Sequence, residues 1–292
     1  MERKTFTNKK GENFSYLASK SENSKYNLVF FHATGFNAFT YEILFNQIKQ
    51  LIGDDISIYA IDQRGHGLTK ATSNHTELKS WDIFVDDGIE FLESIEGRVV
   101  CSGHSMGSII AAKIASICPE KVSKLFMIEP VLYGPIESLK FRLMSFLRLN
   151  RQLSIADGAA KRRKQFSSIN EAVSSYTGRG AFTTWSATWI ENYLRGGTTQ
   201  SKEGIELSCS PEWEAATFRS SSMDSWRYLK KIKIKVKVLY GSVGSTFSSQ
   251  AREVLFNLGK NWDPIYYKEA SHFLPMEFPD SVTKELEAYL KE

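Results

Sequence analysis

The chain has 292 residues, 42% hydrophobic and 24% charged, which suits one large α/β domain or two smaller ones and excludes a disordered or fibrous chain. Its 37 basic and 33 acidic residues leave a net charge of +4, without the concentrated positive field that nucleic-acid binding requires. Composition therefore names no macromolecular partner.

From the N-terminus, Met1 to Lys10 is polar and lacks the apolar core of a signal peptide, and no later run reaches the roughly 18 apolar residues of a membrane span. A hairpin is expected from Lys4 to Ala18. Short apolar runs then alternate with helical patterns, the signature of a mostly parallel sheet covered by helices. The predicted strands are Leu28 to Phe31, Ile56 to Ile61, Arg98 to Ser102, Lys124 to Ile128, Val236 to Tyr240 and Pro264 to Lys268. Helical stripes fall at Tyr41 to Leu51, Trp81 to Ile95 and Ser108 to Cys118, the last apolar on most sides and ended by Pro119.

Residues 129–235 are too long for an ordinary connection and are rich in helical patterns and tryptophan, so they read as an inserted cap. Leu139 to Leu149 and the rings of Trp185, Trp189, Trp213 and Trp226 are expected to pack its core. The run Lys161-Arg162-Arg163-Lys164 reads as a solvated helix face, with an anion or acidic-membrane contact as the alternative. Lys230 to Lys237, where Lys alternates with Ile and Val, reads as a half-exposed strand entrance. The division expected is core 1–130, cap 131–232 and core 233–292.

The three cysteines, Cys101, Cys118 and Cys209, are odd in number and include no Cys-x-x-Cys pair, which disfavours a disulfide framework or zinc site and fits a reducing cytoplasm. Cys101 reads as buried packing.

The chemistry gathers around Gly103-His104-Ser105-Met106-Gly107. Serine is a poor nucleophile at its free pKa, so it must be exposed beside a base and near donors for the developing oxyanion. This pentapeptide follows an apolar strand and opens an apolar helix, the context in which a strained turn presents a serine between two glycines. His32-Ala33-Thr34-Gly35-Phe36-Asn37 follows another strand. From there a backbone N–H of Thr34, or secondarily Phe36, can join that of Met106 as an oxyanion hole.

These segments, with Asp62-Gln63-Arg64-Gly65-His66-Gly67 and Ser271-His272-Phe273-Leu274-Pro275-Met276-Glu277-Phe278-Pro279, resemble the α/β-hydrolase superfamily in its capped branch over nearly the whole length. The resemblance implies an α/β fold: a mostly parallel eight-stranded sheet flanked by helices, with a helical cap inserted after the sixth strand. It also implies that His272 is the base acting on Ser105, while His32, His66, His75 and His104 keep structural or loop roles. The family usually places an Asp where this chain has Gly244. Some members carry the acid after the preceding strand, where Glu129 stands, so the implied triad is Ser105, Glu129 and His272. Cys209 to Ala215 resembles an architectural segment of capped members.

The activity so implied is hydrolysis of a carboxylic ester or related acyl bond of a small, apolar substrate through an acyl-enzyme, with no metal or organic cofactor. Thioesters, amides, lactones and carbon–carbon bonds are alternatives, whereas haloalkane and epoxide chemistry would require Asp in the elbow. A non-catalytic ligand-binding protein on the same fold is the competing class. No nucleic-acid partner and no stable membrane insertion are expected, and the expected location is cytoplasmic.

Overall fold

The computed structural model describes residues 1–146, 154–221 and 224–292. Strands β1 (Glu2–Thr7) and β2 (Asn13–Ser19) form the expected hairpin. They are followed by β3 (Tyr26–Phe31), β4 (Ile56–Ile61), β5 (Val99–His104), β6 (Val122–Ile128), β7 (Val236–Val243) and β8 (Trp262–Ser271). The eight join in one sheet in the order β1-β2-β4-β3-β5-β6-β7-β8, parallel from β4 to β8, with β2 antiparallel to its neighbours. All the predicted strands are present. β5 and most of β3, β4 and β6 are buried, which is why they read as continuous apolar runs.

Helices α1 (Glu42–Ile52), α2 (Asp82–Glu93) and α3 (Met106–Ile117) form over the predicted stripes. α1 contributes Leu44, Phe45 and Ile48 to the hydrophobic cluster on one face of the sheet, while α2 and α3 fill the cluster on the other. α3 is buried from Met106 through Ala115, so its all-round apolar sequence reflects its place against the sheet. Its one cation, Lys113, is 1% exposed and is held by Asp82 at 2.8 Å and Asp224 at 2.9 Å.

After β6 the chain leaves the sheet and returns only at Val236. The interval holds α4 (Pro135–Phe146), α5 (Ser154–Ala160), α6 (Ile169–Tyr176), α7 (Ala187–Gly197), α8 (Pro211–Arg219) and α9 (Trp226–Leu229). It also holds a small antiparallel sheet of Gln165–Phe166, Gly204–Leu207 and Thr198–Ser201, which the helical reading of this insertion did not anticipate. All four of its tryptophans are buried as expected. Leu139, however, is 65% exposed and belongs to no core. The side chains expected to pack from Phe141 to Leu149 lie outside the described residues.

Helices α10 (Ser249–Phe256), α11 (Leu274–Glu277) and α12 (Pro279–Lys291) complete the chain, and α12 packs beside α1. The Lys230 to Lys237 alternation proves to be mostly irregular: only Val236 and Lys237 lie in β7. Lys237 is buried, not half-exposed, because Asp263 and Glu292 pair with its ammonium.

Candidate active site

Ser105 stands between β5 and α3 with φ 59° and ψ −120°, a conformation non-glycine residues avoid and that functional turns retain. The two glycines of the pentapeptide make this turn possible. A Cβ on Gly103 would lie 2.3 Å from the Gly107 carbonyl carbon, and one on Gly107 would lie 2.0 Å from the Phe31 carbonyl oxygen. The Ser105 N–H donates to Ile128 O at 3.0 Å, and the Ser108 hydroxyl bonds the same carbonyl at 2.9 Å. The elbow is thereby fastened to the end of β6, one residue before Glu129.

His272 follows β8, with Nε2 2.9 Å from Ser105 Oγ. For Nε2 to accept the serine proton, the ring hydrogen must sit on Nδ1. Nδ1 faces Glu129 Oε2 at 3.3 Å and Thr246 Oγ1 at 3.2 Å. Glu129 is fully buried with φ 45°, the only non-glycine besides Ser105 with positive φ among the described residues. Its carboxylate is satisfied on both oxygens: Gly241 N–H donates to Oε1, and the Ser245 hydroxyl donates to Oε2 at 2.8 Å. A buried anion without such donors would be costly. The sequence-derived residues Ser105, His272 and Glu129 thus meet in space, while Gly244, at the usual acid position, brings no carboxylate.

Ser245 and Thr246, which bond Glu129 and face His272, are not among the residues predicted from the sequence; two hydroxyls directly after Gly244 are the local signal for them.

His104 is buried in a directional chain of hydrogen bonds. Ala33 N–H donates to the Tyr41 hydroxyl oxygen at 3.2 Å, Tyr41 Oη and His104 Nδ1 are 2.7 Å apart, and His104 Nε2 and the His272 carbonyl are 2.7 Å apart. Because a carbonyl only accepts, Nε2 carries the proton and Tyr41 donates to Nδ1. The chain links the loop after β3 to the backbone of His272. Burial pushes His32 down to about 4 and His66 down to about 3, so both are neutral braces. His32 Nε2 accepts from Gln63 N–H and His66 Nε2 from Gly35 N–H, which keeps them in structural roles. His75 lies exposed.

Thr34 lies over the start of α3, its hydroxyl directed at Met106 Sδ at 3.3 Å. Met106 is the first residue of α3, so its N–H has no intrahelical acceptor. Phe36 N–H already donates to Ala33 O at 3.1 Å, which removes the secondary choice for an oxyanion donor.

A cavity of about 1230 Å³ opens beside Ser105, His272 and Thr34; most of its wall is apolar surface, including Phe36, Phe273 and Phe182, but charged side chains of the insertion such as Arg163, Arg179 and Arg219 also line it. Trp185 packs edge-on to Phe36 at 5.2 Å and Phe273 at 5.8 Å, joining the insertion to both catalytic-side loops. Arg162 corrects the sequence reading of the Lys161 to Lys164 run. Its three neighbours are exposed, but Arg162 follows α5 in a non-helical segment and turns inward onto Glu214 and Tyr193. Among the described residues no group of His, Cys, Asp or Glu could hold a metal ion, and no helix is long and apolar enough to cross a membrane.

A family model described as Serine aminopeptidase, S33 matches residues 22–179, just over half of the chain. Protein phosphatase methylesterase 1 of Candida albicans is 26% identical over 175 residues, covering 58% of this chain and 43% of that protein. The aligned region of a Haemophilus influenzae relative, 35% identical over 83 residues, covers 28% of each chain. The chain thus spans less than half the length of these curated relatives. Among solved structures, E-2-(acetamidomethylene)succinate hydrolase superposes with a TM-score of 0.79 at 19% identity over 100% of both chains, a likeness of fold.

Proposed function

Because the chain belongs to the serine aminopeptidase S33 family of α/β-hydrolases, we propose that it hydrolyses a carboxylic ester or related acyl bond through an acyl-enzyme on Ser105. The observation that carries this reading is the 2.9 Å approach of His272 Nε2 to Ser105 Oγ, with Nδ1 turned toward the buried Glu129. Ser105 Oγ attacks the carbonyl carbon as Nε2 takes its proton. The imidazolium returns that proton to the departing alkoxide, and an alcohol leaves. Water then attacks the acyl-enzyme with His272 again as base, and the carboxylic acid departs as the ester bond to Ser105 breaks. Thr34 and Met106 supply backbone N–H groups for the oxyanion, while Glu129 holds the Nδ1–H tautomer and stabilises the imidazolium.

Residues 131–232 act as the cap, and the apolar wall they present suits an apolar acyl or leaving group. The Candida relative is named a methylesterase, in keeping with an ester substrate. An aminopeptidase would need a free carboxylate for the substrate's α-ammonium. The cavity's Asp82, Glu214 and Asp224 are all ion-paired, which favours esters over N-terminal peptides. A panel of p-nitrophenyl esters of graded chain length tests the reading. Turnover by the wild type and its loss in Ser105→Ala are expected; no turnover of any ester would favour the ligand-binding alternative.

A further inference from the structure

The cavity beside Ser105 is apolar over most of its wall, yet its charged lining is one-sided: Lys79, Arg162, Arg163, Arg179 and Arg219 stand against Asp82, Glu214 and Asp224. Each of the three acids already faces a cation. Asp82 and Asp224 bond Lys113 at 2.8 and 2.9 Å, and Glu214 lies 2.9 Å from Arg162. Arg163 and Arg219 have acids of their own outside the lining, Glu171 at 2.7 Å and Asp157 at 2.8 Å. Glu212, in a smaller cleft that also borders Lys79 and Arg219, offsets part of their charge. The excess is therefore cleanest at Arg179, which is exposed and whose side chain has no hydrogen bond or ion pair among the described residues.

The backbone sets Arg179 in its place. Gly178 and Gly180 bracket it with φ of 70° and 52°, and a Cβ at either would meet nothing within 4 Å. Packing does not ask for glycine at these positions; the left-handed turn does. That turn joins Tyr176 to Phe182: Arg179 N–H donates to Tyr176 O at 3.1 Å, and Phe182 N–H donates to Arg179 O at 2.9 Å. An aromatic wall connects it to the catalytic loop. The ring of Phe273, next to His272, lies 5.8 Å from Trp185; Trp185 lies 4.9 Å from Phe182, and Phe182 lies 4.7 Å from Tyr176.

An alkyl chain laid along these rings loses its contact with water at no polar cost. At the far end the requirement changes. A guanidinium with unused donors is a planar fork for the oxygens of a carboxylate or phosphate. An ammonium there would meet the positive excess of the lining, and an uncharged terminus would gain nothing from it.

We propose that Arg179 forms an anion subsite at the end of this wall, so that the substrate is an ester whose apolar chain ends, away from the scissile bond, in a carboxylate or phosphate. Lys79, Arg163 and Arg219 add to the attraction without gripping the group. The scissile bond rests on the acyl-hydrolase reading, whereas the subsite itself is a matter of binding.

Calorimetry on Ser105→Ala, which removes the proposed nucleophile, measures that binding with probes that differ only in their end group: monomethyl dodecanedioate, its ω-amide and methyl ω-aminolaurate. The acid is expected to bind about fivefold or more tighter than the amide, the scale of a partly exposed ion pair, and the amine more weakly than the amide. Monomethyl succinate and methyl succinamate, too short to span the wall, should bind within about twofold of each other. In Ser105→Ala/Arg179→Met the preference for the long acid should fall below about twofold. A long amide that binds as tightly as the acid overturns the subsite, as does a preference that survives Arg179→Met. The same preference in the succinate pair also overturns it, since that would be a diffuse field and not a site. Should Arg179→Met fail to fold, as judged by circular dichroism, the dependence on chain length still decides. Methyl ω-phosphooxylaurate identifies the head group: tighter binding than the acid assigns phosphate, weaker binding assigns carboxylate. Selectivity for the long acid without cleavage of any of these esters by the wild type would support the subsite while refuting the hydrolase reading; equal cleavage of acid and amide, with equal binding, would refute the subsite alone.

Discussion

Replacing Glu129 with Gln changes one atom of the site and tests how His272 is oriented. Gly241 N–H donates to Oε1, so the Gln carbonyl must take that position, since an NH₂ there would oppose a donor. The amide NH₂ then occupies the place of Oε2, facing Ser245 Oγ and His272 Nδ1. A donor facing Nδ1 favours the tautomer with the hydrogen on Nε2, which points a proton at Ser105 Oγ in place of the lone pair that must accept one. The acyl-enzyme step also loses the anion that stabilises the imidazolium. Together these effects predict a fall in kcat of about 10³–10⁴-fold, the scale seen when a triad acid becomes its amide. Thr246 Oγ1, 3.2 Å from Nδ1, can rescue only a minority of the correct tautomer. Steady-state kinetics on a p-nitrophenyl ester read the loss, and thermal denaturation establishes that the variant is folded. A folded Glu129→Gln enzyme within about threefold of wild-type kcat would refute the assignment of Glu129.

Thr246→Val removes the hydroxyl that shares Nδ1 with Glu129, and kcat should fall by about three- to tenfold with KM unchanged; a KM effect alone would contradict an orienting role. Gly107→Ala sets a Cβ 2.0 Å from Phe31 O, so Tm should drop by more than about 5 °C although alanine is the better helix former; an unchanged Tm would contradict the close packing. His32 and His66 titrate in the fold at about 4 and about 3, below the unfolded 6.5, so the unfolded chain binds protons that the native state refuses. Their contribution is complete above 6.5 and is lost as pH falls toward 4, at up to about 1.4 kcal/mol per pH unit for each histidine. Urea midpoints at pH 7 and pH 5 should differ accordingly, and equal midpoints would contradict the neutral buried histidines.

Features written in local pattern could be read from the chain alone. The parallel strands are unbroken apolar runs because both faces are covered, and the elbow declares itself through two glycines that its packing requires. Glu129 enters as a candidate through the family resemblance, because the loop after β7 lacks an acid, and its carboxylate lies 3.3 Å from His272 Nδ1. What escaped depends on contacts distant in sequence. Arg162 sits in a basic run that looks solvated, and only α8, some fifty residues on, brings Glu214 to it. The strands Thr198–Ser201 and Gly204–Leu207 are short and half polar, so no period-two stripe marks them; Gly204, with φ 122°, was their one local signal. Lys237 looked half-exposed because its neutralising partners, Asp263 and Glu292, come from β8 and the C-terminus.

The proposed reaction requires Ser105 to be an activated nucleophile, and covalent labelling addresses that without knowledge of the substrate. A fluorophosphonate should phosphonylate the wild-type protein stoichiometrically, with the added mass on the peptide containing Ser105, and should leave Ser105→Ala unlabelled and His272→Ala labelled far more slowly. Equal labelling of wild type and Ser105→Ala, or no labelling of a folded wild-type protein, would contradict it.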